Sequence, residues 1–260
     1  MTLPLHGAIS DEPYLGPRLL KRALVVVQFS PVLKIAEKSG AGIGEFQDAV
    51  RRAYPQVELE VEKLMQLEVR PDGIHPSEQE QPVWRMSDID KAWLLSLTSQ
   101  TIALETSGST YSNWADFSDR IQFLIRRVGD FFAPAQKVRS GVRFLNLAAV
   151  DGGDDPRAIC EQSLVSISGN PDLIQSDLLW RFGVDEGTLI LRSGVVEANN
   201  THDPGIMPPS SERSWYLDID VFNNDAAAFD ADAICQALLG QVRRVHAIYR
   251  WAIPDENGKR

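Results

Sequence analysis

The chain is poor in the residues that staple, coordinate or insert. It has two cysteines, Cys160 and Cys235, each in an apolar or mixed run and distant from a second ligand, which argues against a disulfide framework or a cysteine metal site. Its longest unbroken apolar run, Ala23 to Val27, is far too short to cross a bilayer, so no membrane partner is expected. Four histidines, His6, His75, His202 and His246, are scattered without a spaced pair, leaving no imidazole frame for a transition metal. Basic residues number 26 against 36 acidic ones, a net charge of −10. Broad, direct nucleic-acid binding needs a basic face to neutralise phosphates and is not expected. The opening Met1–Ala8 lacks the basic-then-apolar order of a signal peptide, and with the thiols unpaired the expected location is cytoplasmic.

Against these shortages stands a chain of 260 residues with 43% hydrophobic side chains, enough for a substantial core. Arg22–Ser30 reads as a buried strand stopped by Pro31. Ile43, Phe46, Ala49, Val50 and Ala53 recur at helical spacing up to Pro55. An extended strand covers 57–69, closed by Pro71–Gly73 and followed by a polar loop through Gln81. Val83–Met86, Trp93–Leu97 and Thr101–Glu105 predict short strands of an antiparallel meander. A long helix then runs from a cap at Ser112 or Asn113 to Pro134, with Phe117, Ile121, Leu124, Val128 and Phe131 on one face. Arg139–Leu147 returns as a strand.

The acidic turn Asp151–Asp155 is a candidate boundary between halves 1–150 and 151–260, packed as one unit. Beyond it, Gln175–Val184 and Thr188–Val196 flank Asp185–Gly187, a hairpin signal because glycine supplies a positive φ. Glu197–Arg213 has no periodicity and is expected to be mobile. Trp215–Phe222 alternates as a strand and hands over through Asp230 to a helix reaching about Ala252, with Ile234, Leu238, Val242, Val245 and Tyr249 along one face. The expected fold is α+β, antiparallel sheets packed against two long amphipathic helices. Both ends repeat a strand–strand–helix grammar, which admits two related halves.

Candidate chemistry is thin. Gly40–Gly44 lies between a strand and a helix but lacks the Lys-Ser/Thr of a phosphate loop and the third glycine offset of a dinucleotide fold. Asp218 and Asp220 share a strand face about 6.5–7 Å apart, yet Phe222 and Phe229 stand where a calcium loop needs ligands. No nucleophile–base arrangement is visible, so no catalytic, cofactor or metal residue is assigned, and no cofactor is expected. His246 borders the last helix's apolar stripe as a core-edge residue. The six tryptophans are mostly core. A structural role suits the acids better. Arg143 shares a strand face with Leu145 and Leu147, so its guanidinium needs a partner, and the Asp218–Asp220 strand can supply one.

Arg22–Pro31, Val50–Pro55, Tyr111–Phe117, Gly141–Asn146 and Leu217–Val221 occur in an order that resembles a sporadically distributed family of bacterial and archaeal proteins of about this length. The resemblance covers nearly the whole chain. It departs mildly at Phe144–Leu145, where the family pattern often has Tyr-Ile. That family carries no assigned reaction, and its distribution is similar to that of defence or toxin–antitoxin genes. The resemblance implies a non-enzymatic protein-interaction module, antitoxin-like or defence-associated, whose acidic surface masks another, basic protein. The alternative is a small-molecule or nucleotide sensor with a cavity between sheet and helix; an enzyme ranks third.

Overall fold

The computed structural model describes residues 2–9, 19–70, 73–150, 156–165, 170 and 172–253. β1 (Leu20–Phe29) buries Ala23, Val25, Val27 and Phe29 and leaves the intervening side chains half-covered, the period of two that gives a strand one core face. α1 (Gly44–Val50) follows, entered by a 3-10 turn at Ala41–Ile43. Next come β2 (Gln56–Arg70), β3 (Gly73–Ser87), β4 (Trp93–Leu97), β5 (Thr101–Ser107) and α2 (Trp114–Phe132). The chain continues as β6 (Gln136–Ala149), α3 (Pro156–Ile159), α4 (Gln162–Val165), β7 (Ser176–Val184) and β8 (Gly187–Val196). It closes with β9 (Ser214–Asn223), β10 (Ala227–Ala228) and α5 (Ala231–Ala252).

The strands form one ten-stranded antiparallel sheet in the order β2-β3-β4-β5-β1-β6-β9-β8-β7, with β10 added on β6. Val25 lies opposite Val142, and Val142 opposite Val221, so the ladder runs without a break across the boundary suggested at 151–155, itself outside the described residues. Mixed α and β structure built on a large antiparallel sheet was expected, and the structure has it. α5 lies across β6 and β9 with α2 at its side. Both helices cover the face that carries Val25, Val142 and Val221: Gln241 Nε2 donates to Ser140 O at 3.2 Å, and the Phe117 ring meets Trp93 at 5.4 Å.

Local chemistry sets the helix ends. Asn113 and Asp230 cap α2 and α5, their side chains accepting from the backbone N–H of Asp116 (3.1 Å) and Ala233 (2.9 Å), which satisfies otherwise orphaned donors. Ala133 ends α2 in the left-handed region ahead of Pro134, its N–H bonded to Gly129 O.

Two expectations need correcting. The polar stretch before Val83 is strand, not loop: β3 pairs with β2 from Gly73–Arg70 to Ser87–Gln56. In this stretch of β3 Glu78 and Glu80 are exposed, and its sequence lacks the apolar alternation by which half-buried strands are recognised. The β2–β3 turn at 71–72 lies outside the described residues. Glu197–Arg213 is not a free loop either. Asn199 N–H donates to Ser210 O at 2.6 Å, an isolated bridge joins Asn200 to Ser210, and Met207 is buried. The segment is a strap over the sheet face opposite the helices.

Candidate functional site

Strand parity sends Arg143, Leu145 and Leu147 of β6, and Tyr216, Asp218, Asp220 and Phe222 of β9, to this outer face. There Arg143 makes a two-pronged pair with Asp218, Nε–Oδ1 at 2.8 Å and Nη2–Oδ2 at 2.6 Å. Asp220, although directly opposite Arg143 in the ladder, goes instead to Arg139 at 3.4 Å; the Arg139 guanidinium stacks 3.8 Å over Phe222. Of the three residues singled out in the sequence, two are therefore joined and the third has another partner.

The strap completes the cluster. Asp203 accepts a second bond from Arg143 Nη2 at 2.9 Å, and His202 lies flat on Tyr216, centroids 4.0 Å apart, with Nε2 3.3 Å from Asp218. Tyr216 donates to Asp177 on β7, which also holds Arg192 at 2.6 Å. These contacts tie β6, β7, β8, β9 and the strap into one polar layer. Burial opposes charge on both members of the central pair. Hydrogen bonds nonetheless hold the Arg143 pKa above its ordinary value and that of Asp218 below its own. Burial dominates at Asp220, whose carboxyl is pushed up to about 6 against the pull of Arg139 and Arg143.

A second ionic clamp was not foreseen. Arg244 on α5 is fully buried, bonds Glu186 through Nε (2.7 Å) and Nη2 (3.0 Å), and donates to the carbonyls of Pro4 and Gly7. His6 Nδ1 and Gly7 N–H meet Asp185 at 2.8 Å each. Gly187 adopts φ 131° in the β7–β8 turn, where Phe222 O leaves no room for a Cβ. Arg244 falls three residues after Gln241 and four before Ile248, both buried, so helical spacing carries it to the packed side of α5.

The remaining candidates are structural. His246 is buried 3.3 Å from the Tyr111 hydroxyl, its pKa pushed down to about 4 by burial and then by Arg250. Both cysteines are buried, and burial pushes the Cys235 thiol up to about 11. At the glycine segment, Gly42 packs against Lys34 O, with no room for a Cβ. Trp84 and Trp215 donate to Ile35 O and Ser193 Oγ within the core. Among the described residues no group of three His, Cys, Asp or Glu side chains is placed to hold a metal ion.

The sheet's β2 edge is of another kind. Among the described residues no strand pairs with its outer backbone. Val57, Leu59 and Val61 are 38%, 38% and 42% exposed and Met65 74%, all on one face, while Glu58, Glu60 and Glu62 line the other. Arg85 of β3 pairs with Glu60 at 2.5 Å and reaches Glu62 at 3.6 Å. No family model and no curated protein matches the chain.

Proposed function

We propose that the protein is a non-enzymatic interaction module whose docking element is the free edge of β2 and whose partner is a basic protein. The observation that carries this reading is the edge's backbone, unpaired among the described residues and flanked by two unlike rows, exposed apolar side chains on one side and glutamates on the other. An unpaired strand offers main-chain hydrogen bonds to an added strand, and the rows select its side chains. A strand alternating Lys or Arg with apolar residues fits both. A second copy of β2 would instead set glutamate against glutamate, which is unfavourable. The defence-associated, partner-masking role that the family resemblance implies belongs to this same proposal.

We also read the chain as two related halves. The sheet order is palindromic about the β1–β6 pair, since β5, β4 and β3 flank β1 as β9, β8 and β7 flank β6. In each half a meander of three strands is followed by a long amphipathic helix, α2 or α5. β2 has no counterpart in this symmetry, and it is the strand that carries the docking edge.

The test is an anisotropy titration with a labelled, end-blocked peptide alternating lysine and valine, compared with a scrambled peptide of equal composition. Saturable one-to-one binding of the alternating peptide alone, weakened by Glu58→Lys and by Leu59→Lys, supports the proposal. Equal binding of both peptides, or indifference to both substitutions, defeats it.

A further inference from the structure

A cavity of about 580 Å³ lies on the outer sheet face, between β1, β4, β5 and β6 below and residues 206–211 of the strap above. This volume falls within the ~300–1,000 Å³ of typical small-molecule sites. It lies on the side of the sheet away from the long helices. Leu94, Leu147, Ile206, Met207 and Pro208 supply apolar surface, and the ionisable groups are Lys21, Arg22, Lys91 and Glu105, three cations against one carboxylate. That balance opposes the chain's own, in which acids outnumber bases 36 to 26.

The charges differ in how they are held. Arg22 and Glu105 bind each other at 2.8 Å. Lys21 and Lys91 are exposed, and among the described residues neither ammonium lies in an ion pair with a carboxylate. Lys91 also adopts φ 54° in the turn that Asp88 closes by accepting from the N–H of Ala92 at 2.7 Å and of Trp93 at 3.1 Å. Glycine or asparagine takes that left-handed conformation at little cost, whereas lysine does not. A lysine kept in an unfavourable backbone conformation beside an apolar cavity is the kind of local strain that accompanies function.

We infer that this cavity binds a small amphipathic acid, its apolar body between Leu94, Leu147 and Met207 and its carboxylate at Lys21 and Lys91. The two ammoniums then gain a counter-charge, and Ile206 gains cover from water. Lys91 and Leu94 also line a neighbouring hollow with Glu58 and Glu60 of β2, but Lys21, Leu147 and the strap residues are not part of the docking edge, and no substitution that tests the docking proposal touches them.

Displacement of 1-anilinonaphthalene-8-sulfonate from the full chain, with decanoate, decanol and decylamine as competitors, provides the test. Decanoate is expected to displace the dye at one equivalent and decylamine to fail. Lys21→Glu combined with Lys91→Gly is expected to weaken decanoate by about tenfold, the scale of a few lost or reversed exposed charge contacts. Lys91→Gly alone should melt at or above the wild-type temperature while losing affinity, a combination that a purely structural lysine would not give. Equal displacement by decanoate and decylamine, more than one equivalent bound, or undiminished affinity in a folded double variant would overturn the inference.

Discussion

Replacing Arg143 by alanine tests the polar layer on the outer face. Asp218 is only 2% exposed and receives both prongs of the guanidinium, so the variant leaves a buried carboxylate with His202 as its remaining side-chain partner. Removing one member of a buried pair costs about 3–5 kcal/mol. The Arg143 side chain is itself 17% exposed, so water can enter in its place, and the lower end, ~3 kcal/mol, is the better expectation. For a chain of this size that corresponds to a fall of roughly 6–12 °C in melting temperature. Arg127→Ala is the control. Its guanidinium meets Asp130 at 2.9 Å from a side chain 39% exposed, and such surface pairs contribute at most about 1 kcal/mol.

The pH dependence separates a lost ion pair from a generic cavity. Asp218 has a depressed folded pKa, so its stabilising contribution is present above the unfolded carboxylate value and lost as pH falls through the folded one. In the variant that contribution is gone, so the gap from wild type should be full from neutrality down to about pH 4 and shrink as pH falls below the ordinary carboxylate value of 3.8. Adding Asp218→Asn should recover part of the loss by removing the orphaned charge. Thermal melts of the four proteins from about pH 2.5 to pH 8 decide it. Equal melting of the Arg143 and Arg127 variants, or a gap independent of pH, would refute the reasoning.

Asp220 gives the opposite pH signature. Its folded pKa near 6 lies above the ordinary 3.8, so its stabilising contribution is complete below about pH 4 and is lost as pH rises through 6, by up to ~3 kcal/mol. Asp220→Asn should therefore flatten the decline in melting temperature between about pH 4 and pH 6, and an unchanged slope would contradict the assignment. Arg244→Ala should leave Glu186 facing an empty socket and cost about 3 kcal/mol or more, with protease sensitivity rising first at residues 2–9; a melting point within 2 °C of wild type would be inconsistent with the clamp. Limited proteolysis should spare the His202–Met207 part of the strap in wild type and cut it in Arg143→Ala, whereas early cleavage in wild type would show that the strap is not held by these contacts.

The elements that read clearly in the sequence are those whose burial is periodic. β1 buries every second residue, α2 buries Phe117, Ile121, Leu124 and Val128 at helical spacing, and Asn113 and Asp230 announce their helices through the capping bonds they make. Only the Val83–Met86 end of β3, where Val83, Trp84 and Met86 are buried, was legible; the polar stretch before it, with Glu78 and Glu80 exposed, carries no apolar alternation. The partly buried guanidinium of Arg143 followed from strand parity with Leu145 and Leu147. Its choice of the diagonal Asp218 over the opposed Asp220 did not, since that depends on β6–β9 register and on Arg139 stacking over Phe222. The strap's attachment was hidden because it rests on single polar side chains, His202 and Asp203, meeting residues of β6 and β9. The β2 edge, proposed as the docking element, became recognisable only once the strand order left it unpaired among the described residues.

Amide hydrogen exchange with and without the alternating lysine–valine peptide tests the central claim most directly, because it reads the β2 backbone itself. Binding at the edge predicts slowed exchange across residues 56–63, with the opposite edge strand β7 and the strap segment 206–211 unchanged. Binding that protects β7 or the strap while residues 56–63 exchange as before would contradict the account.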